Sequence, residues 1–156
     1  MYKQLLICSR ARFYEDKDQQ YFHVNDGVYI DNISNLFENT IVLAGEVKCE
    51  EVSNETFLLK INVTCFNTIK VLKRNFLWLI RCIRKSNVVY VFYPLKSSLI
   101  IALLAKLLNR RVIAYNGGDW SQMKTLGNKN DLIYQIKVKF YNLLEYLTVK
   151  LSDAYL

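Results

Sequence analysis

The sequence predicts an α/β fold: a parallel sheet with helices on both faces. Three observations carry that expectation. Asn87 to Trp120 reads as an apolar strand ending in Tyr93-Pro94, a helix-like apolar run, and a second strand ending in Asn116-Gly117-Gly118-Asp119-Trp120. Two strands joined through a helix lie side by side and parallel. The candidate strands are near-continuously apolar, as expected when both faces of a sheet are covered. Only five Gly and one Pro occur in 156 residues, too few for an all-β sandwich built from many tight turns.

The elements follow in order. Leu5–Cys8 is a first, central strand, and Ser9 to Gly27, polar and aromatic without a clear period, is a long loop after it. Tyr29 to Phe37 sets Ile30, Ile33 and Phe37 at helical spacing before a stop at Glu38-Asn39. Thr40–Ala44 is a second strand ended by Gly45, and Glu46 to Glu55 is an acidic surface loop. Phe57 to Val63 is a third strand. Thr68 to Lys85 is one amphipathic helix, with Ile69, Leu72, Phe76, Leu79, Ile80 and Ile83 on its apolar face and six Lys or Arg on the other. Val88–Tyr93, Leu95–Leu108 and Arg111–Tyr115 are strand, helix and strand. Gly117 to Asn130 is a loop. Asp131 caps a last helix to Leu151, and Ser152 to Leu156 opens one more strand.

Composition narrows the function. A hydrophobic fraction of 52% with 22% charged residues describes a chain able to fold around one core, not a disordered one. Cys8, Cys49, Cys65 and Cys82 are scattered without a C-x-x-C pair, and His23 is the single histidine, so no metal site is expected and the thiols read as reduced and structural. No cofactor is expected. The first ten residues lack the long apolar run and small-residue cleavage site of a signal peptide. The apolar part of Val88 to Leu108 is far short of the ~20 residues that span a bilayer. The expected location is cytoplasmic, with peripheral contact at the inner face of the membrane.

A net charge of +7 fits nucleic acid, an anionic membrane surface or phosphate-bearing substrates. The Tyr and Phe residues form no base-stacking platform, so nucleic acid is not expected as a partner. The basic side of the Thr68 to Lys85 helix would suit anionic lipid, and equally a solvated face.

Two segments are candidate site elements, because ligands of parallel sheets bind beyond the carboxyl ends of the strands. Asn116, Gly117, Gly118, Asp119 and Trp120 would let backbone approach a ligand, hydrogen-bond its polar groups and stack on a ring. The competing reading is an ordinary strand-to-loop turn with an aspartate capping amides. Arg10, Arg12 and His23 stand in or beside the loop after the first strand, where the arginines would pair with phosphate. The competing reading there is a solvated basic loop.

Three stretches carry a family resemblance: Phe37 to Val47, Val89 to Leu95 through Arg111 to Asp119, and Leu144 to Tyr155. With them the chain resembles the N-terminal half of GT-B glycosyltransferases, of the large retaining family four of bacterial polysaccharide and lipopolysaccharide assembly. The resemblance implies a Rossmann-like domain that shapes the acceptor site, with Arg10, Arg12, His23 and Asn116 to Trp120 as acceptor-side residues. The nucleotide sugar and the paired glutamates belong to a C-terminal domain that this sequence does not contain, so nucleotide sugar is a partner only together with a donor-binding half, encoded downstream or in a second chain. The whole of 1–156 reads as one such domain, truncated at its C-terminal end and inactive alone, acting on a glycan or lipid-linked acceptor in surface polysaccharide synthesis. The alternative is a non-catalytic α/β binding or membrane-recruiting scaffold module.

Overall fold

The computed structural model describes residues 2–16, 19–47, 56–58, 62–116 and 132–155; for His23, Val24, 56–58, Leu132 and Ile133 it describes the backbone alone. The chain runs β1 (Tyr2–Asp16), β2 (Gln19–His23), α1 (Val24–Ser34), β3 (Phe37–Glu46), β4 (Thr56–Leu58), β5 (Val63–Asn67), α2 (Thr68–Arg74), α3 (Phe76–Lys85), β6 (Val88–Tyr93), α4 (Lys96–Leu107), β7 (Arg111–Asn116), α5 (Leu132–Leu151) and β8 (Ala154–Tyr155).

The fold is α/β and Rossmann-like. β5, β3, β1, β6, β7 and β8 lie side by side in that order, each parallel to its neighbour. The chain builds outward from β1 through β3 to β5, then crosses over to β6 and builds the other way. The order therefore reverses between β1 and β6, and the carboxyl ends of those strands frame the crevice where such sheets take ligands.

Alternation along β1 explains the two cores. Leu6 and Cys8 point to one face, into a cluster with Leu79 and Ile83 of α3 and Ile101, Ala102 and Ala105 of α4. Leu5 and Ile7 point to the other, into a cluster with Ile30 of α1, Phe37, Val42 and Phe92. Leu5, Leu6, Ile7, Leu43, Leu79, Ile83 and Ile101 are all essentially inaccessible. Each such side chain contributes about 1.5–3 kcal/mol of burial. β6 has no polar alternation because both of its faces are covered.

Several boundaries differ from the sequence reading. Ser9 to Gly27 is not a loop: β1 continues to Asp16, β2 returns antiparallel to it, and α1 begins at Val24. The reason is side-chain alternation. Ala11 and Phe13 are buried while Arg10 and Arg12 are exposed, Phe13 packs on Phe22, and Tyr14 stacks on Tyr21 at 5.0 Å between ring centroids. Phe37 belongs to β3 rather than to the helix before it, and Glu38-Asn39 is strand rather than a stop; Ile30 and Ile33 do face the sheet. The expected third strand is two elements, β4 antiparallel to β2 and β5 parallel to β3.

The single amphipathic helix expected over Thr68 to Lys85 breaks at Asn75, whose backbone (φ −125°, ψ 37°) leaves the helical region. Its N–H still closes α2 on the Val71 carbonyl, and its carbonyl accepts the Leu79 N–H to open α3. Ile69 and Phe76 face outward, and the buried residues are Thr68, Val71, Leu79, Cys82 and Ile83. Strands β6 and β7, helix α4 between them, and the short β8 stand where the alternation placed them. Cys8, Cys65 and Cys82 are free and buried, whereas Cys49 lies outside the described residues.

Candidate functional site

The carboxyl edge of the sheet collects the ends of β1, β6 and β7 and the first turns of α1, α2 and α4. Register fixes the levels: Cys8 pairs with Val91, Val91 with Ala114, and Tyr93 with Asn116. The β1–β6 pairing stops at Cys8↔Val91, and Arg10 falls in the irregular stretch of β1 just beyond it, before Arg12 pairs with Gly45 of β3. A shift in the β1–β3 register separates Cys8↔Leu43 from Arg12↔Gly45. Within it, the Ser9 hydroxyl accepts the Ala11 N–H at 3.0 Å.

The two flanks of this edge differ. On the β3–β5 flank, Lys70 Nζ lies 2.6 Å from Glu46 Oε2, the Asn67 amide donates to the same oxygen, and Asn67 Oδ1 accepts the Lys70 N–H to cap α2. The Lys70 contact, with a lesser contribution from the Asn67 donation, holds the Glu46 carboxyl below its usual range against the opposing effect of burial. These groups are spent on each other. On the β1–β6–β7 flank, Ser97 and Ser98 at the start of α4 lie 3.7 and 3.6 Å from the Cys8 sulfur, and Ser98 also donates to the Phe92 carbonyl. Burial pushes the Cys8 thiol up despite both hydroxyls, so it stays protonated and unreactive.

Below this flank, on the α1 side, Tyr29 stacks on Tyr115 at 5.0 Å and meets Phe92 edge-on, while its hydroxyl hydrogen-bonds that of Tyr90. These rings pack against one another, with Tyr115 immediately before Asn116 in β7. Burial is the main reason that the Tyr29 and Tyr90 hydroxyls titrate higher than an ordinary tyrosine.

Of the residues singled out from sequence, Arg10, Arg12 and Asn116 stand exposed at this edge. His23 ends β2, its backbone pairing with Thr56 and following the Phe13↔Phe22 pair, so it comes beside Arg12; its side chain lies outside the described residues. Gly117, Gly118, Asp119 and Trp120 lie outside them as well. The segment expected as a cleft loop, Ser9 to Gly27, is instead the end of β1, β2 and the start of α1. Its hairpin is tied to β5 through Gln20, which hydrogen-bonds Cys65, on the flank away from β7. Sequence reasoning missed Ser97 and Ser98; the Lys-Ser-Ser run two residues after Pro94, where a helix must start, was the signal for them.

A depression of about 800 Å³ lies elsewhere, on the α1 face near the amino ends of the strands, lined by Leu5, Ile33, Phe37, Val88, Tyr90 and Ile113. Tyr2, Asn87 and Arg111 also line it, and its rim carboxylate, Asp153, is engaged by Lys106 and by the Val112 N–H. Among the described residues no group of His, Cys, Asp and Glu is placed to hold a metal ion, and no helix is long and apolar enough to cross a membrane.

The chain matches no protein-family model and no curated protein.

Proposed function

We propose that this chain is the acceptor-side half of a cytoplasmic glycosyltransferase, holding a growing, lipid-linked glycan while a sugar arrives from a nucleotide sugar bound to a donor-side half. The observation that carries the reading is the strand-order reversal between β1 and β6, with Arg10 just beyond the last β1–β6 pair and Asn116 paired with Tyr93 on the other side of β6. Arg10 and Arg12 would pair with the phosphate of the lipid link. Asn116 and the Gly117-Gly118-Asp119-Trp120 segment after it would meet sugar hydroxyls and a ring face. The resemblance to the N-terminal half of GT-B enzymes supports the same division of labour, in which catalysis depends on holding donor and acceptor in one orientation.

The reading is tested by saturation-transfer NMR on the purified chain with an oligosaccharide pyrophosphate and, separately, with a set of nucleotide sugars. The expected result is contact with the glycan and none with the nucleotide sugars, and glycan contact weakened at least fivefold in Arg10→Ala/Arg12→Ala. Nucleotide-sugar binding with no glycan binding, or sugar transfer by the chain alone, would overturn it.

A further inference from the structure

The positive charge of this chain is not spread evenly. Helices α2, α3, α4 and α5 carry eleven Lys and Arg and one acid, Glu145. The whole chain has 21 Lys and Arg against 14 Asp and Glu, so everything outside these helices holds ten cations and thirteen acids. The positive excess belongs to one helical layer. All four helices pack on the same face of the sheet, since Val71, Leu79, Ile101 and Val149 join one core cluster. α3 lies against α4, and α4 against α5, so their outward sides form one continuous surface.

The same surface is apolar to an unusual degree. Of the fourteen large hydrophobic side chains exposed among the described residues, ten stand on these helices. Leu77 and Leu107 are 72% and 74% exposed. Ile100, Leu103 and Leu107 recur along the outside of α4, and Ile136, Phe140 and Leu143 along the outside of α5. Cations are interleaved with them: Lys96 Nζ lies 5.2 Å from the ring centroid of Phe140, and Lys137 and Lys139 are exposed on the turn before it.

Each simpler explanation accounts for half of this. A solvated helix face mixes both signs of charge and exposes few large hydrophobics. A protein interface core is depleted in lysine. A polyanion-binding face needs the cations but has no use for exposed leucines and isoleucines. A bilayer uses both, because cations approach anionic headgroups while apolar side chains enter the boundary between headgroups and acyl chains. We propose that the outer surface of the α2–α5 layer docks on an anionic lipid bilayer. The helices run alongside the strands, so a molecule docked this way lies flat, with the carboxyl edge of its sheet beside the headgroups. The inference stands on charge and exposure, independently of sugar transfer.

The test is co-sedimentation of the chain with vesicles of phosphatidylcholine alone and of phosphatidylcholine with phosphatidylglycerol. The expected result is at least tenfold stronger partitioning onto the anionic vesicles at about 0.1 M salt, falling steeply near 1 M, where screening shortens the reach of charge to ~3 Å. Lys137→Gln/Lys139→Gln would weaken partitioning by about fivefold per cation removed. Leu77→Gln/Leu107→Gln, at positions too exposed to threaten folding, would weaken it at least fivefold with the melting temperature unchanged. Equal partitioning onto neutral vesicles, or indifference to both double variants, would overturn the proposal. So would duplex DNA binding that is as tight as vesicle binding and insensitive to the leucine substitutions. A self-association in solution that the leucine substitutions abolish would give the surface to a second copy instead.

Discussion

The side-chain amide of Gln20 spans the backbone of Cys65: Gln20 Oε1 accepts the Cys65 N–H at 2.7 Å and Gln20 Nε2 donates to the Cys65 carbonyl at 3.1 Å. Cys65 lies in β5, which has β3 on one side, and the glutamine imitates a strand on the other. An exposed row of unpaired backbone groups is a template for pairing with another chain, and this contact occupies part of that row. It also fixes where the β1–β2 hairpin lies.

Gln20→Ala is therefore expected to lower stability by about 1–2 kcal/mol, two hydrogen bonds at ~1 kcal/mol each. That corresponds to roughly 2–8 °C in melting temperature for a chain of this size. Gln20→Glu sets a carboxylate oxygen against the Cys65 carbonyl and the Glu15 carboxylate, and would be at least as destabilising. Thermal melts, with hydrogen exchange at the Cys65 amide, check both; an Ala variant that leaves that amide equally protected would contradict the contact.

Asp153 joins β8 to the rest of the sheet. Its Oδ2 accepts the Val112 N–H at 2.7 Å, its own N–H donates to the Val112 carbonyl at 2.8 Å, and Lys106 donates to Oδ1. The Lys106 contact first, then the Val112 N–H, holds the carboxyl below its usual range. A depressed folded pKa gives stability that is present above the unfolded carboxylate value of ~4 and lost as pH falls through the folded value. Asp153→Asn should thus be less stable than wild type at neutral pH, by a modest amount since the pair is open to solvent. The gap should close as pH drops below about 4. Denaturant midpoints along that range read the difference, and a gap constant with pH would contradict the assignment.

The Tyr29–Tyr90 hydroxyl pair sets the opposite limb. Both groups are raised, mainly by burial, and for Tyr90 also by the bond to Tyr29. A raised folded pKa means that the stabilisation is complete below the unfolded value of ~10 and is lost as pH rises beyond it. Tyr90→Phe should cost about 1 kcal/mol at pH 8, where Tyr29 loses its partner, and should lessen the fall in stability above about pH 10. An alkaline limb identical in wild type and variant would place that titration elsewhere.

How far the sequence could be read depended on whether neighbouring residues or distant ones decide the structure. Val88–Tyr93 and Arg111–Tyr115 were legible because burial on both faces leaves an unbroken apolar run, and Leu95–Leu108 because its length and period are those of a helix. The β1–β2 hairpin was not. Its alternation is short, running only from Arg10 to Phe13, and Gln20 is there to meet Cys65, 45 residues away. The break at Asn75 was hidden because Ile69 and Phe76 continue the apolar period although the fold turns both outward. Asn116 was legible only as the end of a strand, where the apolar run stops. Ser97 and Ser98 were passed over because their role depends on Cys8, about ninety residues earlier in the chain.

The central claim, that the carboxyl edge of this sheet holds a glycan acceptor, is tested most directly by mapping amide shifts in a ¹⁵N-labelled chain during titration with an oligosaccharide pyrophosphate. The account predicts perturbations at Arg10, Arg12 and Asn116 and in the Gly117-Gly118-Asp119-Trp120 segment, with Leu5, Val88 and Ile113 at the amino-end depression unmoved. Shifts confined to that depression, or none at saturating glycan, would contradict it.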